Sequence, residues 1–218
     1  MNFEQARLNM VEQQIRPWEV LDQRVLDVIL ESPRDAFVPQ DYQGIAYSDT
    51  RIPIGHGETM MSPKVEGRLL QALDIQAHER GLEIGTGTGY LTSLLAKFAS
   101  HVTSVDIYED FTEQARQRLA LHGANNVDLL TDNGCDGMPS AGPYDFIAVT
   151  GAMATANPVL REQLAIGGRL FVVVGKSPIM EAQLIERSSE NVFAEDTLFE
   201  TDLKCLVGAE APAEFSFD

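Results

Sequence analysis

A glycine-rich segment at residues 83–89 carries the residue types that can hold a nucleotide-like ligand. It reads Glu-Ile-Gly-Thr-Gly-Thr-Gly and follows an apolar run that predicts a short β-strand. Glycines let the backbone turn tightly and approach a ligand closely. The spacing is Gly-x-Gly-x-Gly, whereas dinucleotide sites carry Gly-x-Gly-x-x-Gly. Gly85, Thr86 and Gly87 are therefore candidate ligand-binding residues.

Two acidic residues indicate which ligand this loop would take. Glu83 lies two positions before the first glycine, where a carboxylate would repel a pyrophosphate but suit an ammonium and a sulfonium. Asp106, followed by Ile107, ends the next predicted strand, where an acid can accept hydrogen bonds from both ribose hydroxyls. The combination predicts S-adenosyl-L-methionine as cofactor and S-adenosyl-L-homocysteine as product. For the loop taken alone, a plain glycine-rich turn beside a solvated acid is the alternative.

The elements that must position this loop are predicted from the hydrophobic pattern. Seven strand patterns are present, and helical spacing follows the first, second and fourth of them. These strands are predicted at 81–84, 101–106, 127–130, 144–150, 169–174, 182–185 and 193–207. The alternation predicts an α/β fold, and together with the predicted cofactor it indicates a Rossmann-like methyltransferase fold. Its sheet would be mostly parallel and seven-stranded, with helices on both faces and an antiparallel C-terminal hairpin.

Local signals predict where some of the helices begin and end. Pro63 and Asn157-Pro158 are typical of helix starts. Gly167-Gly168 is expected to close the helix that begins at Pro158. The whole chain, 1–218, is predicted to be one domain. Its parts would be N-terminal helices with a substrate loop (1–63), a cofactor-binding core (64–176), and C-terminal strands with an acidic tail (177–218).

Composition narrows the function classes. The net charge of −17 and the scattered basic residues disfavour nucleic acid as a partner. No apolar run approaches the ~20 residues that span a bilayer, so no membrane association is expected. Two cysteines, Cys135 and Cys205, are too few for a disulfide framework, which favours a cytoplasmic protein. No His/Cys/Asp cluster has metal-ligand spacing, so no metal is predicted.

Several motifs outside the glycine loop resemble the protein-L-isoaspartate O-methyltransferase family. The matching segments cover most of the chain and are 34–39, 46–49, 52–55, 82–90, 126–127, 134, 137, 143–145, 163–164 and 167–170. The resemblance implies methyl transfer from S-adenosylmethionine to the carboxylate of an isomerised aspartate in a damaged protein or peptide. It does not indicate an oligomeric state.

This chain departs from the family's pattern at two places. Where the family has Thr-Ile-Ser-Gln-Pro with an active-site serine, residues 59–63 read Thr-Met-Met-Ser-Pro. Aligned on Thr59, the serine position holds Met61, and Ser62 lies one place later. The family's Asp-Gly pair after the third strand is Asn133-Gly134 here. Both places are expected to touch cofactor or substrate.

The acceptor is therefore less well defined than the cofactor. Methionine cannot donate a hydrogen bond to an acceptor carboxylate, whereas Thr59 or Ser62 can. A different small-molecule or peptide acceptor, or a non-catalytic S-adenosylmethionine-binding protein, are the alternatives. Thr150 follows a strand at the sheet edge where ligands of open α/β sheets bind, although a plain strand-to-loop transition explains it equally well. His56 either contacts substrate or is simply exposed.

Overall fold

The structure, a computed structural model, describes residues 2–210 and is built on a seven-stranded sheet. The strands are β3 (Arg80–Ile84), β4 (His101–Asp106), β5 (Val127–Thr131), β6 (Tyr144–Met153), β7 (Leu164–Lys176), β8 (Ile179–Ser189) and β9 (Val192–Thr201). Their order is β5-β4-β3-β6-β7-β8-β9. The first five strands pair in parallel, and β8 and β9 are added antiparallel. The predicted mostly parallel sheet with an antiparallel C-terminal hairpin is confirmed.

Helices cover both faces of the sheet. They are α1 (Phe3–Met10), α2 (Gln23–Glu31), α3 (Pro63–Leu73), α4 (Tyr90–Phe98), α5 (Glu109–Leu121) and α6 (Pro158–Glu162). Side chains from α1 to α5 join one hydrophobic cluster, and α6 contributes Leu160 to a second. Alternation along the strands explains the two clusters: on β6, Phe146 and Ala148 belong to the first, whereas Ile147 and Val149 belong to the second. Across the described range, 2–210, the structure contains no helix of the length and apolarity that crossing a membrane requires.

The helix starts follow the signals in the sequence. Pro63 is the first residue of α3, where its missing N–H costs nothing. The Asn157 side chain accepts a hydrogen bond from Val159 N and so caps α6. The left-handed Asp74 (φ 41°) ends α3.

Three sequence predictions about element boundaries are wrong. Gly167-Gly168 does not end α6, which stops at Glu162; these glycines lie within β7, whose pairing with β6 is irregular there. Residues 202–207 are not part of the last strand, because β9 ends at Thr201. Residues 52–60, expected as loop, form a small antiparallel hairpin of β1 (Ile52–Gly55) and β2 (Glu58–Met60). The predicted acidic tail, 211–218, lies outside the described residues.

Candidate cofactor and acceptor site

A cleft of about 770 Å³, counted with the space at its open mouth, lies at the carboxyl ends of β3, β4 and β6. Ligands of open α/β sheets bind at this edge. Nine of the predicted site residues line it: Thr59, Met61, Gly85, Gly87, Asp106, Ile107, Asn133, Gly134 and Thr150. Glu83, Thr86 and Ser62 do not. The strand ends therefore bring the glycine loop and the 59–61 segment to one cavity.

The glycine loop needs glycine for its backbone conformation. Gly85 has φ 98° and Gly87 has φ 51°, values in which a Cβ is strained. A Cβ on Gly85 would also collide with Oγ1 of Thr150. That hydroxyl lies 3.0 Å from the carbonyl oxygen of Ile84 and 2.9 Å from that of Gly85. Thr150 therefore braces the loop from the neighbouring strand, β6, besides lining the cleft.

Asp106 is fixed by the backbone around it. Its two carboxylate oxygens accept hydrogen bonds from Gly87 N (2.8 Å) and Tyr108 N (3.0 Å). Burial raises the pKa of this carboxyl, while the two backbone N–H groups act in the opposite direction. Each oxygen keeps a second lone pair for a hydroxyl in the cleft. These two acceptor oxygens fit the two donating hydroxyls of a ribose.

Glu83 lies beneath the loop and does not face the main cleft. One of its oxygens, Oε2, accepts hydrogen bonds from Thr92 Oγ1 and Ser104 Oγ, both at 2.5 Å. The other, Oε1, is buried and has no partner among the described residues. Burial raises the pKa of Glu83 to about 8, so the carboxyl is mostly neutral at pH 7. The sequence pattern predicts an ionised carboxylate here; desolvation explains the difference.

A smaller cavity of about 340 Å³ connects Glu83 to the main site. Its lining includes Glu83 and Thr86, and it shares with the main cleft Ile54, Thr59, Met61, Gly85, Gly87 and Thr150. Glu83, whose Oε1 has no partner, thus lines a cavity that adjoins the acceptor side. A buried carboxyl with a free oxygen suits a cationic group, which would draw out its ionised form. Thr86 contributes a hydroxyl 2.6 Å from that of Ser104, which links it to the same buried network.

The acceptor-side segment, residues 59–62, enters the site differently at each position. Thr59 and Met61 line the cleft, and Met61 is only 6% exposed. Ser62 is buried at the N-cap of α3, makes no side-chain capping bond and lines neither cavity. Of the two hydroxyl-bearing residues in this segment, Thr59 therefore lines the cleft and Ser62 does not.

The Asn133-Gly134 pair forms part of the opposite wall. Asn133 Oδ1 accepts a hydrogen bond from Cys135 N (3.0 Å), which fixes the turn after β5. Gly134 is packed against Val105 and Ile84, so a side chain there would displace the core. Ile107 is 41% exposed and presents an apolar surface at the mouth of the cleft.

Several lining residues were not identified from the sequence. They include Ile54, Glu58, Tyr108, Phe111, Lys204 and Leu206. Tyr108 could have been predicted as a lining residue from the sequence, because it follows Asp106 by two positions. The segment 202–207 could not have been predicted. It reaches the site only by crossing the end of β6, where Leu206 N donates to Ala152 O (2.9 Å). Such a long-range contact leaves no local pattern.

The tip of the β1–β2 hairpin is attached on both sides of the cleft. His56 stacks on Tyr108 with ring centroids 4.1 Å apart, and its Nε2 lies 3.0 Å from Asp110. On the other side, Lys204 Nζ donates to Gly57 O (3.0 Å) and to Glu58 (2.6 Å). The hairpin therefore spans the cleft and is held by contacts at both of its edges. Within residues 2–210, no three His, Cys, Asp or Glu side chains are grouped so as to hold a metal ion.

Sequence comparisons place these features in one family. The profile of the protein-L-isoaspartate(D-aspartate) O-methyltransferase family matches residues 5–210. A protein-L-isoaspartate O-methyltransferase 2 from Pelobacter propionicus is 37% identical over 211 residues, 96% of this chain and 93% of the relative. A protein-L-isoaspartate O-methyltransferase from Methanoculleus marisnigri is 41% identical over 169 residues, 78% and 77% of the two chains.

Solved structures show the same fold. One protein-L-isoaspartate O-methyltransferase superposes with a TM-score of 0.80 at 24% identity, over 93% of this chain and 66% of that chain. A putative protein-L-isoaspartate O-methyltransferase from Plasmodium falciparum, in complex with S-adenosyl-L-homocysteine, gives 0.77 at 20% identity, over 94% and 98%. With the profile match over nearly the whole length, the chain belongs to the protein-L-isoaspartate(D-aspartate) O-methyltransferase family.

Proposed function

We propose that this protein methylates the carboxylate of isomerised aspartyl residues in damaged proteins or peptides. Family membership makes the chain an O-methyltransferase with S-adenosylmethionine as methyl donor. The observation that supports the proposal is the shared cleft, whose lining includes Asp106 and the glycine loop together with Thr59 and Met61.

The cofactor side is assigned to residues whose donors and acceptors match an S-adenosyl group. Asp106 would accept hydrogen bonds from the ribose hydroxyls, and Ile107 would cover the base. Gly85, Gly87, Asn133 and Gly134 would form the walls, with Thr86 in the buried network behind them. Glu83 would meet the ammonium group through the smaller cavity, and Thr150 would hold the loop in shape. When bound, the cofactor supplies a methyl group already activated by its sulfonium.

The acceptor side needs alignment more than acid–base chemistry. An acceptor carboxylate is ionised at neutral pH, with an ordinary pKa of ~4, so no general base is required. The protein must orient the acceptor oxygen and exclude water, and orientation alone can supply ~7–11 kcal/mol. In the 59–62 segment, Thr59 is the residue that both carries a hydroxyl and lines the cleft. We therefore assign to Thr59 the contact with the acceptor carboxylate. Met61 would exclude water beside it, and Ser62 would support the start of α3.

The test is methyl transfer from labelled S-adenosylmethionine to a synthetic isoaspartyl peptide. The expected product is a base-labile methyl ester, and the matched peptide with an ordinary aspartyl linkage is the control. If neither peptide is esterified while S-adenosylhomocysteine binds tightly in calorimetry, the acceptor assignment is wrong.

A second candidate function is methyl transfer to a less polar acceptor. The observation that favours it is the position of Met61, whose side chain lines the cleft where the family pattern has serine. The variant Met61→Ser separates the two. If the natural acceptor is an isoaspartyl residue, the wild-type protein already esterifies the isoaspartyl peptide, and Met61→Ser changes the rate only modestly. If the acceptor is different, only the variant gains isoaspartyl activity.

A further inference from the structure

We propose that Arg34 is a positioning residue for methyl transfer, because it holds the backbone of Met61 and so fixes the acceptor-side segment against the cofactor loop. The inference rests on the proposed function for its kinetic consequence. Its structural basis is independent of the acceptor's identity.

Arg34 is a charged side chain with no exposure to solvent. Its Nη1 donates to the carboxylate of Glu66, which is also buried, in the first turn of α3. Its Nη2 donates to the carbonyl oxygen of Met61 at 2.6 Å. One planar guanidinium therefore joins the acceptor-side segment to the helix that follows it.

The same guanidinium also contacts the helix that follows the glycine loop. Its central carbon lies 4.9 Å from the ring centroid of Tyr90, the first residue of α4 after Gly89. The ring of Phe37 also packs against the Tyr90 ring, with the two centroids 5.6 Å apart. Arg34 thus contacts the acceptor-side segment through Met61 and the start of α4, next to the glycine loop, through Tyr90.

The energetics favour a geometric role over a stabilising one. Burying two charges is costly, and apolar replacements of a buried ion pair are often as stable as the pair. Burial raises the pKa of Glu66 to about 7 despite the adjacent guanidinium, so desolvation outweighs the attraction. However, apolar side chains cannot donate the hydrogen bond that Arg34 makes to the carbonyl oxygen of Met61. A displacement of about 1 Å in such a segment can cost ~100-fold in rate.

The chain contains a matched control at the other end of α3. Arg169 pairs with Glu79 at 2.7 Å, and its Nε donates to Leu73 O at 2.8 Å. Like Arg34, it joins a glutamate to backbone carbonyl oxygens next to α3, here those of Leu73 and Asp74, although Arg169 is partly exposed. Arg169, Glu79 and Leu73 line neither of the two site cavities.

The experiment compares two double variants, Arg34→Met/Glu66→Leu and Arg169→Met/Glu79→Leu. Removing both partners avoids leaving an uncompensated buried charge. For the first, we expect kcat/KM toward an isoaspartyl peptide to fall 10- to 100-fold. Because Glu66 also lines the smaller cavity, Glu66→Gln alone is measured beside it; this variant keeps an acceptor for Arg34, and the double variant should bind S-adenosylhomocysteine within about threefold of it. For the second, kcat/KM should stay within about twofold. Arg34→Lys keeps a charge beside Glu66 but lacks the planar fork, so its stability should stay close to that of wild type while kcat falls.

Two outcomes would overturn the inference. One is equal loss of kcat/KM in both double variants; the other is a loss of cofactor affinity in the first, measured relative to Glu66→Gln, that parallels its loss of kcat/KM. Amide hydrogen exchange over residues 59–62 gives a readout that does not depend on the acceptor. Exchange there should accelerate at least tenfold in the Arg34/Glu66 variant only, and unchanged exchange refutes the positioning role. If wild type does not esterify the peptide, the proposed function fails, and the exchange result still decides the role of Arg34.

Discussion

Substituting Asp106 by asparagine tests the proposed cofactor site most directly. Both carboxylate oxygens accept from fixed backbone donors, Gly87 N and Tyr108 N. An amide keeps one acceptor and turns an NH₂ group toward the other donor. Leaving that donor unpaired costs about 1–3 kcal/mol of folding free energy. For a domain of this size, each kcal/mol corresponds to a fall in Tm of about 2–4 °C.

The effect on cofactor binding follows from the same geometry. A hydrogen bond to a charged group contributes about 1.5–3 kcal/mol. Replacing one of the two oxygens that face the ribose should therefore weaken S-adenosylhomocysteine binding by about 2 kcal/mol, or roughly 30-fold. Isothermal titration calorimetry measures this, with circular dichroism to establish that the variant is folded.

The matched control is Asp128→Asn on the adjacent strand β5. Asp128 is an exposed carboxylate that contacts His101 at 3.1 Å and does not line the cleft. Its substitution should leave the affinity unchanged and the stability within about 0.5 kcal/mol. An Asp106→Asn protein that is folded and binds S-adenosylhomocysteine within threefold of wild type would refute the assignment of Asp106 to the ribose.

Glu83 and Gly85 give the remaining predictions. The pKa of Glu83 is 4.5 in the unfolded chain and about 8 in the folded protein, so between these pH values the folded protein binds more protons than the unfolded chain. The free energy of unfolding should therefore fall as pH rises from about 4.5 to 8. Glu83→Gln should flatten that decline in urea titrations, and an unchanged pH profile would contradict the raised pKa. Glu83 should also release a proton when S-adenosylhomocysteine binds at pH 7; calorimetry in buffers of different ionisation enthalpy detects this, and the glutamine variant should lose it. Gly85→Ala combines a positive φ with a collision at Thr150, and because overpacking costs about 1–3 kcal/mol it should destabilise the protein by about that much more than Gly123→Ala, which has a positive φ and no neighbour within 4 Å. Equal losses from the two alanines, measured by urea unfolding, would show that Thr150 moves aside.

The parts of this protein that could be predicted from sequence are those determined by neighbouring residues. The strand ending at Ile84, the glycine turn and the following helix are consecutive, so their pattern is visible in one short window. The acid at the end of β4 is found the same way, by its distance from a predicted strand. These local features were sufficient for the fold and the cofactor.

Features that depend on burial or on distant contacts were not predictable in this way. The protonation of Glu83 depends on its position beneath the loop, which the sequence pattern does not contain. Gly167 and Gly168 are typical of a helix end, but pairing of β7 with β6 incorporates them into a strand. Lys204 and Leu206 line the cleft only because the chain returns across the end of β6.

That return has a consequence for how the protein is made. The cleft is bounded by residues 54–61 and 203–207, which are separated by most of the chain. At a synthesis rate of roughly 5–20 residues per second, the second boundary leaves the ribosome about 7–30 s after the first. A nascent chain that already contains every parallel strand still lacks the wall carrying Leu206. The cofactor can therefore stabilise the finished protein by mass action, but the earlier part of the chain must fold without that help.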